Sequence, residues 1–156
     1  MRRQLVDDPN TGEWLVCRVQ TRLCALPLEH VIETLRPMPV EPVAGAPPFV
    51  LGLAVIRGVP LPVVDAARLL GTDQAKAERF VTVIAGNRRI ALAVDCVLGV
   101  RAVAPESLQA LPPLLHEADT DVIAAIGLLD AELMLVLRSA KLLPEGTVPS
   151  AAENPA

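Results

Sequence analysis

The chain has 156 residues, a net charge of −4 and 52% hydrophobic residues, but only 2% aromatic residues and no tyrosine. Nucleic-acid binders usually carry a basic face, and single-strand binders add aromatic stacking platforms, so this composition excludes nucleic acid as a partner. Arg57, Asp65 and Asp95 interrupt the longest apolar runs, which excludes membrane insertion, and the N-terminus lacks the apolar core of a signal peptide, so we expect a cytoplasmic protein.

Short apolar runs rich in Val, Ile and Leu, separated by turn residues, predict an all-β protein with short helices. The 15 prolines argue against a helical bundle. Strands are predicted at residues 13–19, 23–28, 51–56, 59–64, 80–85, 90–96, 99–104, 124–129 and 133–137.

Turns and ends are marked by local signals in the sequence. Gly86-Asn87 and Asp130 predict tight turns between strands. One short helix is predicted to begin after Asp65 and stop at Gly71, and another to run over residues 139–144. The polar, proline-containing ends, residues 1–12 and 145–156, are predicted to be flexible tails.

Two prolines, Pro60 and Pro62, lie inside the predicted strand 59–64. Alternate residues point their backbone N–H groups to the same side of a strand, so both missing donors lie along one edge. The other edge stays free to pair, and the strand is therefore predicted to lie at the edge of its sheet.

An internal repeat relates the two halves of the chain. Trp14 aligns with Phe80, 66 residues later, and residues 67–70 resemble residues 140–143 at an offset of 73. At the first offset, Arg22, Ala25, Leu26, Leu28 and Val31 align with Arg88, Ala91, Leu92, Val94 and Val97. About seven extra residues, which we place near residues 112–121, reconcile the two offsets. The alternative that this match arose by chance stays open, because the chain is rich in aliphatic residues. A true repeat predicts two similar antiparallel barrels packed together.

Catalytic and metal-binding motifs are not found in the sequence. His30 and His116 have no second ligand at metal spacing, and no phosphate-cradling loop or nucleophile elbow occurs. The three cysteines match no zinc pattern and are predicted to pack in the core, with Cys17 opposite Cys24 across a hairpin and no disulfide between them. The sequence therefore predicts no enzyme, no cofactor and no metal.

Arg57 interrupts the most apolar stretch of the chain and is followed at once by Gly58. A charge there must find a partner or reach the surface. Three interpretations stay open: an ion pair within the protein, for example with Asp65, a simple turn arginine, or a residue that contacts a partner.

The segment around Arg57 resembles the signature of the CheW family. The chain reads Ala-Pro-Pro-Phe-Val-Leu-Gly-Leu-Ala-Val-Ile-Arg-Gly over residues 46–58 and ends Pro-Val-Val-Asp at residue 65. Residues 26–33, 90–104 and 126–143 resemble further blocks of the family in the same order, so the resemblance covers nearly all of residues 13–144.

This resemblance implies two intertwined five-stranded SH3-like barrels, the first over about residues 13–75 and the second over about 79–144. It implies a non-catalytic adaptor that couples methyl-accepting chemoreceptors, at their cytoplasmic tip, to the regulatory domain of a CheA-type histidine kinase, and that is recruited to membrane-associated receptor arrays. Val31, Glu33, Arg57 and Val100 match family positions on the receptor-facing groove. The resemblance assigns no residues to the kinase-facing surface.

The chain departs from the family pattern at two positions near the signature. Val55 stands where the family usually has Asn, and Ala66 where it usually has Leu, which puts in doubt which receptor is recognised. The pathway served, whether flagellar, pilus, gliding or another, is left open. Two other interpretations also stay open: a ligand-binding or regulatory β-barrel with a small-molecule pocket between its two halves, and an enzyme of unrecognised type.

Overall fold

The computed structural model describes residues 12–73, 76–111 and 122–143. This part of the chain contains ten strands and one short α-helix. The strands are β1 (Glu13–Val19), β2 (Arg22–Pro27), β3 (Val31–Leu35), β4 (Val50–Ile56), β5 (Val59–Asp65), β6 (Arg79–Ala85), β7 (Arg88–Val94), β8 (Cys96–Ala102), β9 (Ile123–Leu129) and β10 (Glu132–Leu137). The helix is α1 (Ala66–Leu69), and short 3-10 helices cover Leu28–His30, Pro105–Ser107 and Ser139–Lys141.

The strands form two five-stranded sheets that exchange strands between the two halves of the chain. The order is β8-β1-β2-β10-β9 in the first sheet and β3-β6-β7-β5-β4 in the second. Each sheet takes one hairpin from one half and three strands from the other. The predicted intertwined pair of five-stranded units is confirmed, but the division into barrels at residues 13–75 and 79–144 is wrong. The 3-10 helix Leu28–His30 carries the chain from β2 in the first sheet to β3 in the second.

The strand positions confirm the internal repeat. The first hairpins begin at Glu13 and Arg22 in one half and at Arg79 and Arg88 in the other, an offset of 66 residues. The later hairpins, β4–β5 and β9–β10, follow the offset of 73 residues. The extra residues therefore lie between β8 and β9. The predicted insertion at 112–121 falls in this interval, outside the described residues.

Each sheet closes through one isolated bridge beyond its edge strand. In the second sheet, Glu41 follows β3 and exchanges backbone hydrogen bonds of 2.8 and 2.9 Å with Leu53 of β4, at the opposite edge. In the first sheet, Gln109 follows β8 and makes the equivalent pair of 2.8 Å bonds with Ile126 of β9. Closure satisfies edge groups that would otherwise template aggregation, and it gives each sheet a barrel-like form.

The strand ladders are mostly antiparallel, but each sheet contains one parallel pair that the antiparallel prediction missed. In the second sheet β5 pairs with β7 over Val63–Asp65, and in the first β10 pairs with β2. The strand β5 therefore lies between two neighbours, and its prediction as an edge strand is wrong for its second half. Its first half, which holds Pro60 and Pro62, pairs with β4 alone, so the missing donors interrupt no ladder.

The core has one large cluster and a smaller one in each barrel. Trp14 is fully buried in the cluster of the first sheet and Phe80 in that of the second, as their alignment in the repeat predicts. Cys17 lies opposite Cys24, both thiols are free and buried, and burial raises the pKa of each to about 12. The prediction of burial is wrong for Cys96, which begins the edge strand β8 and is exposed.

The helix α1 is capped at both ends as the sequence predicts. The carboxylate of Asp65, itself fully buried, accepts a hydrogen bond from the backbone N–H of Ala67 at 3.2 Å. At the other end Gly71 has a φ of +88°, and Thr72 donates its N–H to the carbonyl of Ala67 at 2.9 Å, which completes a Schellman motif. The second predicted helix is a 3-10 helix over Ser139–Lys141.

Replacing Asp65 tests the cap. We expect Asp65→Ala to lower the free energy of unfolding by about 1–2 kcal/mol, because the first turn of α1 loses its acceptor. Asp65→Asn keeps an acceptor oxygen and should retain most of this stability. Urea denaturation of the three proteins measures the difference, and equal losses for both variants would contradict capping as the main role.

Candidate functional site

The site is built on the tight turn between β4 and β5. Arg57 and Gly58 form its two central residues, with φ values of 53° and 80°. Both therefore lie in the left-handed region, as a type I′ hairpin turn requires. Glycine adopts this conformation without cost, whereas a non-glycine residue such as arginine does so uncommonly. The turn projects the Arg57 side chain outward, and 73% of it is exposed.

Arg57 forms a bidentate ion pair with Glu33 of β3. Its Nε donates to Glu33 Oε2 at 2.8 Å and its Nη2 donates to Oε1 at 2.7 Å. Closure of the second sheet brings these residues together, since β3 and β4 lie at its two edges. The suggested pair between Arg57 and Asp65 is wrong: Asp65 lies at the far end of β5, where it caps α1.

The pair shifts the pKa of both groups. The hydrogen bond from Arg57 lowers the pKa of the Glu33 carboxyl below its ordinary 4.5, and the hydrogen bond to Glu33 raises the pKa of Arg57. The two side chains therefore stay ionised throughout the neutral range.

A shallow pocket of about 200 Å³ opens beside this pair. Its walls come from all five strands of the second sheet and from the β4–β5 turn. The lining residues are Ile32, Glu33, Ile56, Arg57, Val59, Leu61, Thr82 and Arg89. Four of the eight lining residues are aliphatic and three are charged, so the pocket fits a side chain that carries both apolar and polar parts.

The four residues predicted for the receptor groove do not form one cluster. Glu33 and Arg57 contact each other. Val31 lies two residues before Glu33 on β3, but it is half-buried and packs against the large core cluster. Val100 lies on β8 of the first sheet and is 51% exposed. The pocket beside Arg57 is lined by neither valine.

Sequence reasoning missed Ile32 and Arg89, which line the same pocket. Ile32 lies on β3, a strand that the sequence did not predict, at a bulge in its pairing with β6. Arg89 lies in the second half of the chain, and only the exchange of strands brings it beside Arg57. The two adjacent arginines, Arg88 and Arg89, were visible in the sequence, but the residues that surround Arg89 in the folded protein were not.

The first sheet has an equivalent turn with the charges reversed. Asp130 and Ala131 connect β9 to β10 with φ values of 53° and 66°, which confirms the predicted turn. Here the turn carries the acid, and Arg101 of β8 supplies the base, with Arg101 Nη2 lying 3.2 Å from the Asp130 carboxylate. The repeat therefore conserves the shape of the turn and inverts its charge.

A second shallow pocket lies in the first barrel, lined by Ser107, Gln109, Ile126, Gly127, Leu128 and Leu133. Like the pocket beside Arg57, it is lined by residues of a single barrel. The residues that the structure describes contain no group of three or more potential metal ligands. No helix in the same residues is long and apolar enough to cross a membrane.

The ion pair at the turn predicts how Glu33 titrates. Because its folded pKa is lowered, the stabilisation from this pair is complete above about pH 4.5 and is lost as the pH falls through the lower, folded value. Arg57→Gln should therefore raise the pKa of Glu33 toward its ordinary value. A carbon-detected NMR titration of both proteins measures this directly, and an unchanged Glu33 pKa in the variant would contradict the ion pair.

A two-barrel β protein whose β4–β5 turn exposes charged side chains is typical of a binding module.

Comparison with known proteins gives the family. The model of the CheW-like domain matches residues 13–146. The chain is 30% identical over 138 residues to protein FrzA of Myxococcus xanthus, which covers 84% of each chain. It is 26% identical over 109 residues to the chemotaxis protein CheW of Rhizobium meliloti, covering 68% of this chain and 70% of that protein.

The fold matches a solved structure as well. The scaffolding protein TtCheW from Thermoanaerobacter tengcongensis superimposes with a TM-score of 0.77 at 21% identity, covering 88% of this chain and 95% of that one. The chain belongs to the CheW-like domain family.

Proposed function

We propose that this protein is a non-catalytic adaptor that couples methyl-accepting chemoreceptors to a CheA-type histidine kinase. The match to the CheW-like domain over residues 13–146 carries this proposal. The chemotaxis protein and the scaffolding protein that resemble the chain support the same role by their names. In this role the protein works in the cytoplasm and is recruited to receptor arrays.

The receptor-facing surface is proposed to centre on the Arg57 turn. Arg57 is exposed at 73% of its side chain and held in one orientation by Glu33, so it offers its remaining N–H groups to a partner with little loss of freedom. Val31 and Val100 are proposed to add apolar contact at the border of this surface, with the exposed Val100 contributing the larger part.

The kinase-facing surface is proposed to include the β9–β10 hairpin of the first sheet. Leu128 and Leu133 are register partners there, and they are 66% and 56% exposed. Two large aliphatic side chains side by side on the surface favour a protein partner. In a chain so poor in aromatic residues, such leucines supply the apolar anchors that an interface of on the order of 1,200–2,000 Å² needs.

A binding experiment with purified components tests the adaptor role. The protein is titrated in turn with the regulatory domain of the kinase from the same genome and with receptor fragments that carry the cytoplasmic hairpin. We expect binding to both, a ternary complex when all three are mixed, and a negative heat-capacity change on kinase binding. Failure to bind either partner would overturn the proposal.

A further inference from the structure

The pocket beside the Arg57 turn carries an excess of positive charge. Arg57 uses its Nε and Nη2 on Glu33, which neutralises one charge. Arg89 lines the same pocket from β7 and is exposed. Within the described residues its guanidinium makes no hydrogen bond or ion pair. The pocket therefore holds two guanidinium groups and one carboxylate, and one positive charge remains without an internal partner.

Apolar side chains line the same pocket as these charges. Ile32, Ile56, Val59 and Leu61 line the pocket, and Ile32 and Val59 are 43% and 45% exposed. The hydroxyl of Thr82 is already used, since it donates to the backbone carbonyl of Glu33 at 3.3 Å. An occupant thus meets an aliphatic floor and a positively charged rim, with few other polar groups to satisfy.

The pocket of the first barrel differs in this respect. None of its six lining residues is charged, so it attracts neither acids nor bases. Both pockets have aliphatic side chains in their walls, but only the pocket beside Arg57 contains charged groups, two arginines and Glu33. Charge is therefore the property by which the pocket beside Arg57 selects its occupant.

We propose that this pocket accepts an acidic side chain of the receptor's helical hairpin, and that Arg89 is a specificity-determining residue for that partner. The inference rests on the proposed adaptor function and names the chemistry of its receptor contact. The carboxylate lies between Arg89 and the free Nη1 of Arg57. An aliphatic side chain one helical turn away, at spacing i+3 or i+4, packs on Ile32 and Val59. A guanidinium is suited to this role because its fork of N–H donors matches a carboxylate.

The test compares Arg89→Glu with a control of identical charge change. Arg22→Glu serves as that control, because Arg22 is an exposed arginine that begins β2 in the other sheet. Binding of the receptor fragment and of the kinase regulatory domain is measured for both variants and the wild type, at low and at high salt. We expect Arg89→Glu to weaken receptor binding roughly tenfold or more at low salt, and Arg22→Glu to change it less than about twofold.

Charge exchange then identifies the partner residue. Each acidic residue at the receptor tip is replaced in turn by arginine, and one such replacement should restore binding to Arg89→Glu while weakening binding to the wild type. Kinase binding should be the same for the wild type, Arg89→Glu and Arg22→Glu. If the wild type binds the receptor but Arg89→Glu behaves as Arg22→Glu does, this inference fails and the adaptor function stands. If the wild type binds no receptor fragment, the adaptor function fails and the inference fails with it.

Discussion

Arg57→Glu is expected to abolish receptor binding while kinase binding and the melting temperature stay close to those of the wild type. The substitution removes an exposed guanidinium from the turn and places a second carboxylate beside Glu33, so the pocket changes from net positive to net negative. Loss of a central interface arginine commonly weakens binding roughly 30-fold or more. Because 73% of the Arg57 side chain is exposed, water screens the new repulsion and the fold loses little.

The equivalent ion pair in the first sheet provides the matched control. Arg101→Glu breaks the contact with Asp130 and reverses the charge of an exposed arginine, at the corresponding turn of the other barrel. It should leave receptor binding intact. The measurements are the melting temperature and the affinities for both partners, taken on the three proteins side by side. Equal loss of both affinities, with a large fall in the melting temperature of Arg57→Glu, would show that Arg57 serves only the fold.

Gly52→Ala is expected to have the largest effect on stability. Gly52 lies in β4 at a φ of +144°, next to a bulge in the pairing with β5. A Cβ atom there would lie 2.1 Å from the backbone carbonyl oxygen of Glu41, and backbone cannot yield as a flexible side chain does. We expect a loss on the order of 3 kcal/mol or more, because backbone strain adds to the clash. The clash also falls on the bridge from Glu41 to Leu53 that closes the second sheet.

Gly99→Ala separates strain from clash. Gly99 also has a positive φ, +125°, but no atom lies within 4 Å of its added Cβ. It should therefore lose only the cost of strain, on the order of 1–3 kcal/mol. Urea denaturation gives both values. A loss for Gly52→Ala no greater than that for Gly99→Ala would show that the close approach to Glu41 is relieved cheaply.

The same glycine explains part of the family signature in the sequence. The family pattern has a glycine three positions after a phenylalanine. In this chain, Gly52 lies three positions after Phe49. The pattern alone gives no reason for it. The structure supplies one, because the segment after β3 crosses β4 at this point, with its backbone too close for any side chain.

Most strands could be predicted because their signals are local. Glu13–Val19 was predicted to the residue, and eight other strands were placed within three residues at each end, since apolar runs and turn residues act within a few positions of the chain. The strand β3 was missed. Its five residues alternate between half-buried and exposed, so no run of buried side chains marks it.

The sequence by itself determined nine of the ten described strands, the internal repeat, the caps of α1 and the Arg-Gly turn. Which strands share a sheet was decided only by the tertiary structure, because the exchange places β3 beside β6 and β2 beside β10, far apart along the chain. The partner of Arg57 was decided in the same way. Glu33 is 24 residues away and lies on the opposite edge strand, and the two side chains meet only when the sheet closes. Arg89 joins them from the other half of the chain, since a pocket is a property of the packed barrel and not of any one segment.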